Sequence, residues 1–323
     1  MTDTGTCQSI RPRVDYLRLS ITDRCNLRCV YCMPPEGVTP RRHQDILSYE
    51  EFLAFAEVAA QAGMTKVRIT GGEPLVRKGV ERFVAMLATV PGISDLSLTT
   101  NGLLLPHFAA SLRQGGLHRV NISIDSLHPD RYRELTRGGS LEDALAGLDA
   151  AIEAGFTPVK VNVVLEDGVQ DEVADFVRLV HEREVHVRFI EHMPLDRRHG
   201  ERSVFVPASQ VLRRLNDTVA MHPVRGPYGH GPAVYWRPAG ARGTLGFIAG
   251  VSEHFCSACN RLRLTADGRL KTCLFSAEEL NVRPLIGQPV ELAKALGAAL
   301  AKKSYDRRAE TELTRRAMSE IGG

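Results

Sequence analysis

From about residue 14 to residue 190 the chain alternates between two rhythms of apolar and polar positions. Short β-rich stretches read as strands: VDYLRLSI from Val14, KVRIT from Lys66, ISDLSLT from Ile93, HRVNISI from His118, TPVKVNVV from Thr157 and VHVRFI from Val185. Between them lie segments with a helical period. In SYEEFLAFAEVAAQAG, Phe52, Phe55, Ala56 and Ala59 fall on one helical face, and Ser48 with Glu51 forms a capping-box pattern at its start. In QDEVADFVRLVHE, Val173, Phe176, Val177 and Val180 repeat at the same spacing. Six such units in succession predict parallel strands joined by right-handed crossovers, fewer than the eight of a closed (β/α)8 barrel.

After about residue 205 the rhythm breaks. The segment from His222 to Gly243 is rich in Gly and Pro and reads as loop with a short strand around Trp236. TLGFIAG and a mostly helical tail follow. Two regions are therefore expected, residues 1–205 and 206–323. In an α/β architecture the loops at the carboxyl ends of the strands carry the site, and the loop after the first strand is RCNLRCVYC, from Arg24 to Cys32.

Composition sharpens this picture without redirecting it. A chain of 323 residues with 43% hydrophobic content can fill a substantial core. The N-terminus shows no apolar run resembling a signal peptide, and no later segment offers the roughly 20 uninterrupted apolar residues that span a bilayer, so a cytoplasmic protein is expected. The net charge of +3 is too small to announce nucleic-acid binding, and any functional positive charge must be local. Of seven cysteines, Cys7 stands alone as an incidental thiol in a terminal segment. The others form two compact groups, which in a reducing compartment argues for metal or redox chemistry.

Cys25, Cys29 and Cys32 are spaced C-x3-C-x2-C. Three thiols cannot pair among themselves, and structural zinc normally takes four ligands. A loop that supplies three suits a centre with one position open, such as a 4Fe–4S cube; a zinc site completed by a distant residue is the other reading. Cys256, Cys259 and Cys273 are spaced C-x2-C-x13-C, again three, and could form a second open cube or a zinc ribbon completed by His254.

With Tyr31 just before its last cysteine, the first loop resembles the hallmark of the radical S-adenosylmethionine superfamily. ITGGEPL, from Ile69 to Leu75, is similar to that family's site for the methionine amino group. The ordered set SITDRCNLRCVYCMP, VRITGGEPLVR, LTTNG, NISIDSL, RFIEHMP, CSACNRLRLT and a closing IGG runs from about Tyr16 to Gly323. It resembles the branch of the family that cyclises GTP in molybdenum cofactor biosynthesis.

The resemblance implies an incomplete (β/α)6 TIM-like radical SAM barrel with a C-terminal α+β extension. It implies a lyase that converts GTP to (8S)-3′,8-cyclo-7,8-dihydroguanosine 5′-triphosphate. One 4Fe–4S cluster would sit on Cys25, Cys29 and Cys32 and a second on Cys256, Cys259 and Cys273. S-adenosylmethionine contacts carry over to Tyr31, Gly72, Ser123 and Met193. GTP contacts carry over to Arg18, Lys66, Arg68, Thr99, Lys160, Arg261 and Arg263, and a tail role to Gly322 and Gly323. The cations suit a triphosphate, because arginine forks match phosphate oxygens; Lys66 and Arg68 share one strand face, as do Arg261 and Arg263. An external electron donor is implied, with no membrane or nucleic-acid partner and with room for a homodimer. Two rival readings are a zinc-stapled binding module and a radical enzyme acting on a peptide.

Overall fold

The structure, a computed structural model, describes residues 12–195, 204–227, 231–310 and 312–322. Cys7 and Gly323 lie outside the described residues. The strands are β1 (Tyr16–Ser20), β2 (Lys66–Thr70), β3 (Asp95–Thr100), β4 (Arg119–Ser123), β5 (Val159–Leu165), β6 (Val185–Glu191), β7 (Met221–Val224), β8 (Val234–Pro238), β9 (Thr244–Ile248), β10 (Arg261–Leu264), β11 (Arg269–Lys271) and β12 (Leu280–Asn281). The helices are α1 (Tyr49–Gln61), α2 (Val80–Ala88), α3 (Leu105–Gln114), α4 (Pro129–Thr136), α5 (Leu141–Glu153), α6 (Val173–Glu182), α7 (Ala208–Thr218), α8 (Pro289–Ala301) and α9 (Met318–Ile321).

All strands join one sheet in the order β12-β11-β10-β1-β2-β3-β4-β5-β6-β9-β8-β7. Neighbours from β10 through β9 are parallel, while the pairs beyond them at each end are antiparallel. The expected six β/α units are present, in an order with β12 and β7 at its ends. The segment after residue 206 is not a separate layer, because β10 pairs with β1 and β9 pairs with β6. The expected strand around Trp236 is β8. Its partner β7 was not legible, since Pro223 lowers its strand signal; as the sheet's terminal strand it can accommodate a residue with no N–H to donate.

Period-2 alternation divides the parallel strands into two faces. Leu17, Leu19, Val67, Ile69, Leu96, Leu98, Val120, Ile122, Val161 and Val187 are buried in the main apolar core. Phe52, Phe55, Ala56 and Ala59 of α1 and Val173, Phe176 and Val180 of α6 belong to the same core, and Val177 is packed partly buried against it. At about 25 cal/mol per Å² of apolar surface removed from water, this face supplies the stability that lets the other carry polar and charged groups. No helix among the described residues is long and apolar enough to cross a membrane.

Ser48 caps α1 as the sequence pattern required. Its hydroxyl accepts from the Glu51 N–H at 3.1 Å and the Glu51 carboxylate accepts from the Ser48 N–H at 2.7 Å. Ser48→Ala should destabilise the apo-protein by about 1 kcal/mol, read as a lower urea midpoint; an unmoved midpoint would show that packing alone holds this helix.

Candidate active site

The polar sheet face opens into a cavity of about 260 Å³. Arg18, Arg68, Arg119, Lys160, Arg188 and Arg263 all line it. Strand register makes the crowding explicit: Arg18 stands directly opposite Arg68 on one neighbour and Arg263 on the other. Burial and these two guanidinium groups, Arg263 ahead of Arg68, hold Arg18 well below the ordinary arginine range. Burial is also the main cause that lowers Arg68 and Arg263 to about 10. Lys160 falls to about 6, first through burial and then through Arg188, Arg119 and Arg68. A surface arranged in this way favours an anion, because each added negative charge relieves several repulsions at once.

Arg119 pairs with Asp95, and Lys66 pairs with Asp15. Lys66 shares the face of Arg68 as expected but does not line the cavity, whereas Arg261 does. Thr99 lines the cavity with a buried hydroxyl that has no hydrogen-bond partner among the described residues. Sequence reasoning missed Arg119 and Arg188. Arg188 donates to Asn121 Oδ1 at 2.8 Å and to Asn162. Its signal was available in RFIEHMP, because period 2 puts it on the face of His186 and Ile190.

The first cysteine loop is stitched to the loop after β2. The Gly72 N–H donates to Thr22 O at 2.7 Å and the Glu73 N–H to Arg24 O at 2.8 Å. A Cβ on Gly72 would lie 2.3 Å from Arg24 O, so the glycine seats the cysteine loop as well as lining the cavity. Glu73 entered the sequence reading only as a neighbour of Gly72 within ITGGEPL. Its buried carboxylate accepts from the Asn101 N–H at 2.7 Å, the Thr100 hydroxyl at 2.8 Å and the Leu75 N–H at 3.0 Å, and so ties the segments after β2 and β3 together. Burial raises it to about 7 despite these bonds.

Cys25, Cys29, Cys32, Tyr31, Gly72, Ser123 and Met193 converge on the cavity. The Tyr31 hydroxyl donates to Asp125 Oδ2 at 2.7 Å, while Asp125 Oδ1 accepts from the Val164 N–H at 2.8 Å. Burial pushes the Cys25 thiol to about 11 and the Cys32 thiol to about 12. These side chains become thiolates at neutral pH when a metal takes the sulfur.

The second group flanks β10 and β11, beside β1: Cys256 and Cys259 lie in the turn before β10, and Cys273 follows β11. Phe255, Arg261, Arg263 and Leu274 line the cavity, but Cys256, Cys259 and Cys273 do not. Burial raises the Cys259 thiol, but Lys303 and Arg261 outweigh it and leave it below the ordinary thiol value. The His254 side chain is exposed. Among the described residues no three His, Cys, Asp or Glu side chains are disposed to hold a single metal ion. Thiols around an iron–sulfur cube need not converge on one point, since each binds a different iron. Three soft sulfur donors per group suit that chemistry.

The tail reaches the cations. Gly322 O accepts from Arg263 Nη1 at 2.7 Å and Arg18 Nη2 at 3.3 Å. Gly322 has φ +82°, and a Cβ there would lie 2.2 Å from Thr70 Oγ1, so no side chain is tolerated. Ile321 packs with Leu195 and Phe275. Arg316 anchors the segment through Asp267 and Glu279, at 3.0 and 2.7 Å.

Comparison with known proteins identifies the family. Residues 19–180 match the Radical SAM superfamily model, and residues 185–309 match Molybdenum Cofactor Synthesis C. A GTP 3′,8-cyclase of Moorella thermoacetica is 47% identical over 96% of this chain and 98% of its own length. Its counterpart from Geobacter sulfurreducens is 51% identical over 88% of each. The solved structure of Streptococcus suis SuiB bound to S-adenosylmethionine aligns with a TM-score of 0.60 at 12% identity, over 84% of this chain and 64% of that one. That likeness concerns the fold.

The contact at Gly72 yields a specific expectation. Gly72→Ala should push the Arg24 carbonyl away and disorder the cysteine loop, so that anaerobically reconstituted protein loses iron at the first group while the second loads. An iron content equal to that of the unaltered protein would show that the loop tolerates the added carbon.

Proposed function

We propose a division of labour for this chain, which belongs to the radical S-adenosylmethionine superfamily and, within it, to the GTP 3′,8-cyclase family. The inner sheet face binds the triphosphate of GTP, the first cysteine group and its surroundings hold a 4Fe–4S cluster with S-adenosylmethionine, and the second group holds another 4Fe–4S cluster beside the purine. The observation that carries this reading is the buried, cation-crowded cavity with three thiols on one wall and the second group's neighbours on another. When bound at Cys25, Cys29 and Cys32 and at Cys256, Cys259 and Cys273, these cofactors would supply the radical and Lewis-acid chemistry of the cyclisation.

The chain's own residues bind and aim. Arg18, Arg68, Lys160, Arg261 and Arg263 are assigned to phosphate oxygens, with Arg119 and Arg188 added from the cavity lining; Lys66, held by Asp15, lies two residues before Arg68 on β2, outside that lining. Thr99 offers a hydroxyl in need of a partner. Tyr31, Gly72, Ser123 and Met193 are assigned to S-adenosylmethionine, with Tyr31 fixed by Asp125. Gly322 delivers a carbonyl between Arg18 and Arg263, and the tail, Gly323 included, is assigned to orienting the substrate. Holding the ribose in one orientation is the protein's main contribution to rate. The reading places the enzyme in the cytoplasm, dependent on an external one-electron donor.

Anaerobic reconstitution should give about eight irons and eight sulfides per chain, as two cubes require, and GTP should be converted to the cyclic triphosphate. Cys25→Ala should abolish S-adenosylmethionine cleavage, and Cys256→Ala should abolish cyclisation; zinc in place of iron, or cyclic product from the second variant, would refute the assignment.

Proton linkage gives an independent check. With Lys160 at about 6 in the unliganded protein, the amine is mostly neutral at pH 7. A phosphate beside it favours the ammonium and raises its pKa. GTP binding near pH 7 should therefore take up a proton, and affinity should fall as pH rises above about 6. Calorimetry in buffers of different ionisation enthalpy should show this uptake, reduced in Lys160→Met; equal uptake in both proteins would assign the proton elsewhere.

A further inference from the structure

Lys303 follows α8 and is 4% exposed. Its ammonium has three donors, and three contacts of Nζ are with the second cysteine group's own segments. Nζ donates to Thr272 O at 2.5 Å, to Arg261 O at 3.0 Å and to Cys259 Sγ at 3.5 Å. Thr272 immediately precedes Cys273, and Arg261 lies two residues beyond Cys259. One buried nitrogen therefore spans the gap that the C-x2-C-x13-C spacing leaves between the paired cysteines and the third.

The charge balance adds a second argument. A buried ammonium is costly unless it meets negative charge. Among the described residues the lysines ion-paired to carboxylates are Lys66, Lys271 and Lys294, and Lys303 is not one of them. Two carbonyl dipoles solvate Lys303, the Tyr305 ring lies 5.7 Å from its Nζ, and its remaining hydrogen bond is to the Cys259 sulfur, which carries negative charge once it binds a metal.

We infer that Lys303 is a positioning residue for the second cysteine group, clamping the Cys259 and Cys273 segments together and setting a positive charge against the Cys259 sulfur. The inference rests on the reading that this group holds an iron–sulfur cluster. A clamp fixes the thiol spacing before the cluster arrives, and a cation beside a thiolate favours the reduced, more negative state of the bound cluster.

The test uses the full chain, reconstituted anaerobically, unaltered and as Lys303→Met, Lys303→Gln and Lys303→Arg. Iron and sulfide are counted, and the second cluster's midpoint potential is followed by electron paramagnetic resonance in a Cys29→Ala background, where only that group titrates. Lys303→Met removes donors and charge, and its iron should fall to about half, one cube of two. Lys303→Gln keeps N–H donors without the charge; its cluster should load with a midpoint below that of the unaltered protein. Lys303→Arg should restore both properties. Full iron in Lys303→Met overturns the clamp, and an unshifted midpoint in Lys303→Gln overturns the charge. If Lys303→Met does not fold, the Lys303→Gln midpoint decides. An unaltered protein that loads only one cube would overturn the underlying reading instead, which separates the two failures.

Discussion

Like-charge crowding on one face of the sheet is the constraint around which the rest is arranged. Arg18 has a guanidinium opposite it on each neighbouring strand, and unit charges a few ångströms apart repel by several kcal/mol at the effective dielectric of a partly buried site. Nothing in the cavity's shape removes that repulsion; an anion does. The apolar residues that alternate with these cations, such as Leu17, Leu19, Val67 and Leu262, lie fully inside the core. The same backbone that brings the charges together therefore also carries the burial that offsets them. The tail contributes a neutral form of the same relief, since a carbonyl dipole between Arg18 and Arg263 partly answers their charge.

Local rules carried most of the fold. KVRIT ends where β2 ends, and the Ser48–Glu51 pair forms the capping box its spacing implied. These features depend on neighbours within a turn or a strand, which a linear reading can see. The two cysteine groups were legible for the same reason. Long-range register was not. No local feature says that β10 lies beside β1, yet that pairing brings Arg263 to Arg18 and makes a single charged surface from opposite ends of the chain.

Apart from Arg119 and Arg188, which line the cavity, the residues that sequence reasoning overlooked act through other residues. Glu73 sits in the same motif as Gly72, but its work is to collect hydrogen bonds from the segments after β2 and β3. Asp125 orients Tyr31 in the same way. Lys303 stands among other charges in a tail that reads as surface, and only its burial reveals that it faces inward. A supporting role leaves no spacing signature because its partners are distant in the chain.

The two cysteine groups differ in what surrounds them. The carboxyl of Asp125 adds to burial in raising Cys29, whereas Lys303 and Arg261 draw Cys259 down. Donor sets of equal size are thus placed in fields of opposite sign. A cluster held at the first group would meet acidic neighbours and one at the second would meet cations, a contrast of local field around two similar donor sets. The acidic and basic residues that set it come from different strands and turns, so the polarity of the cavity is a property of the sheet order and not of either cysteine motif.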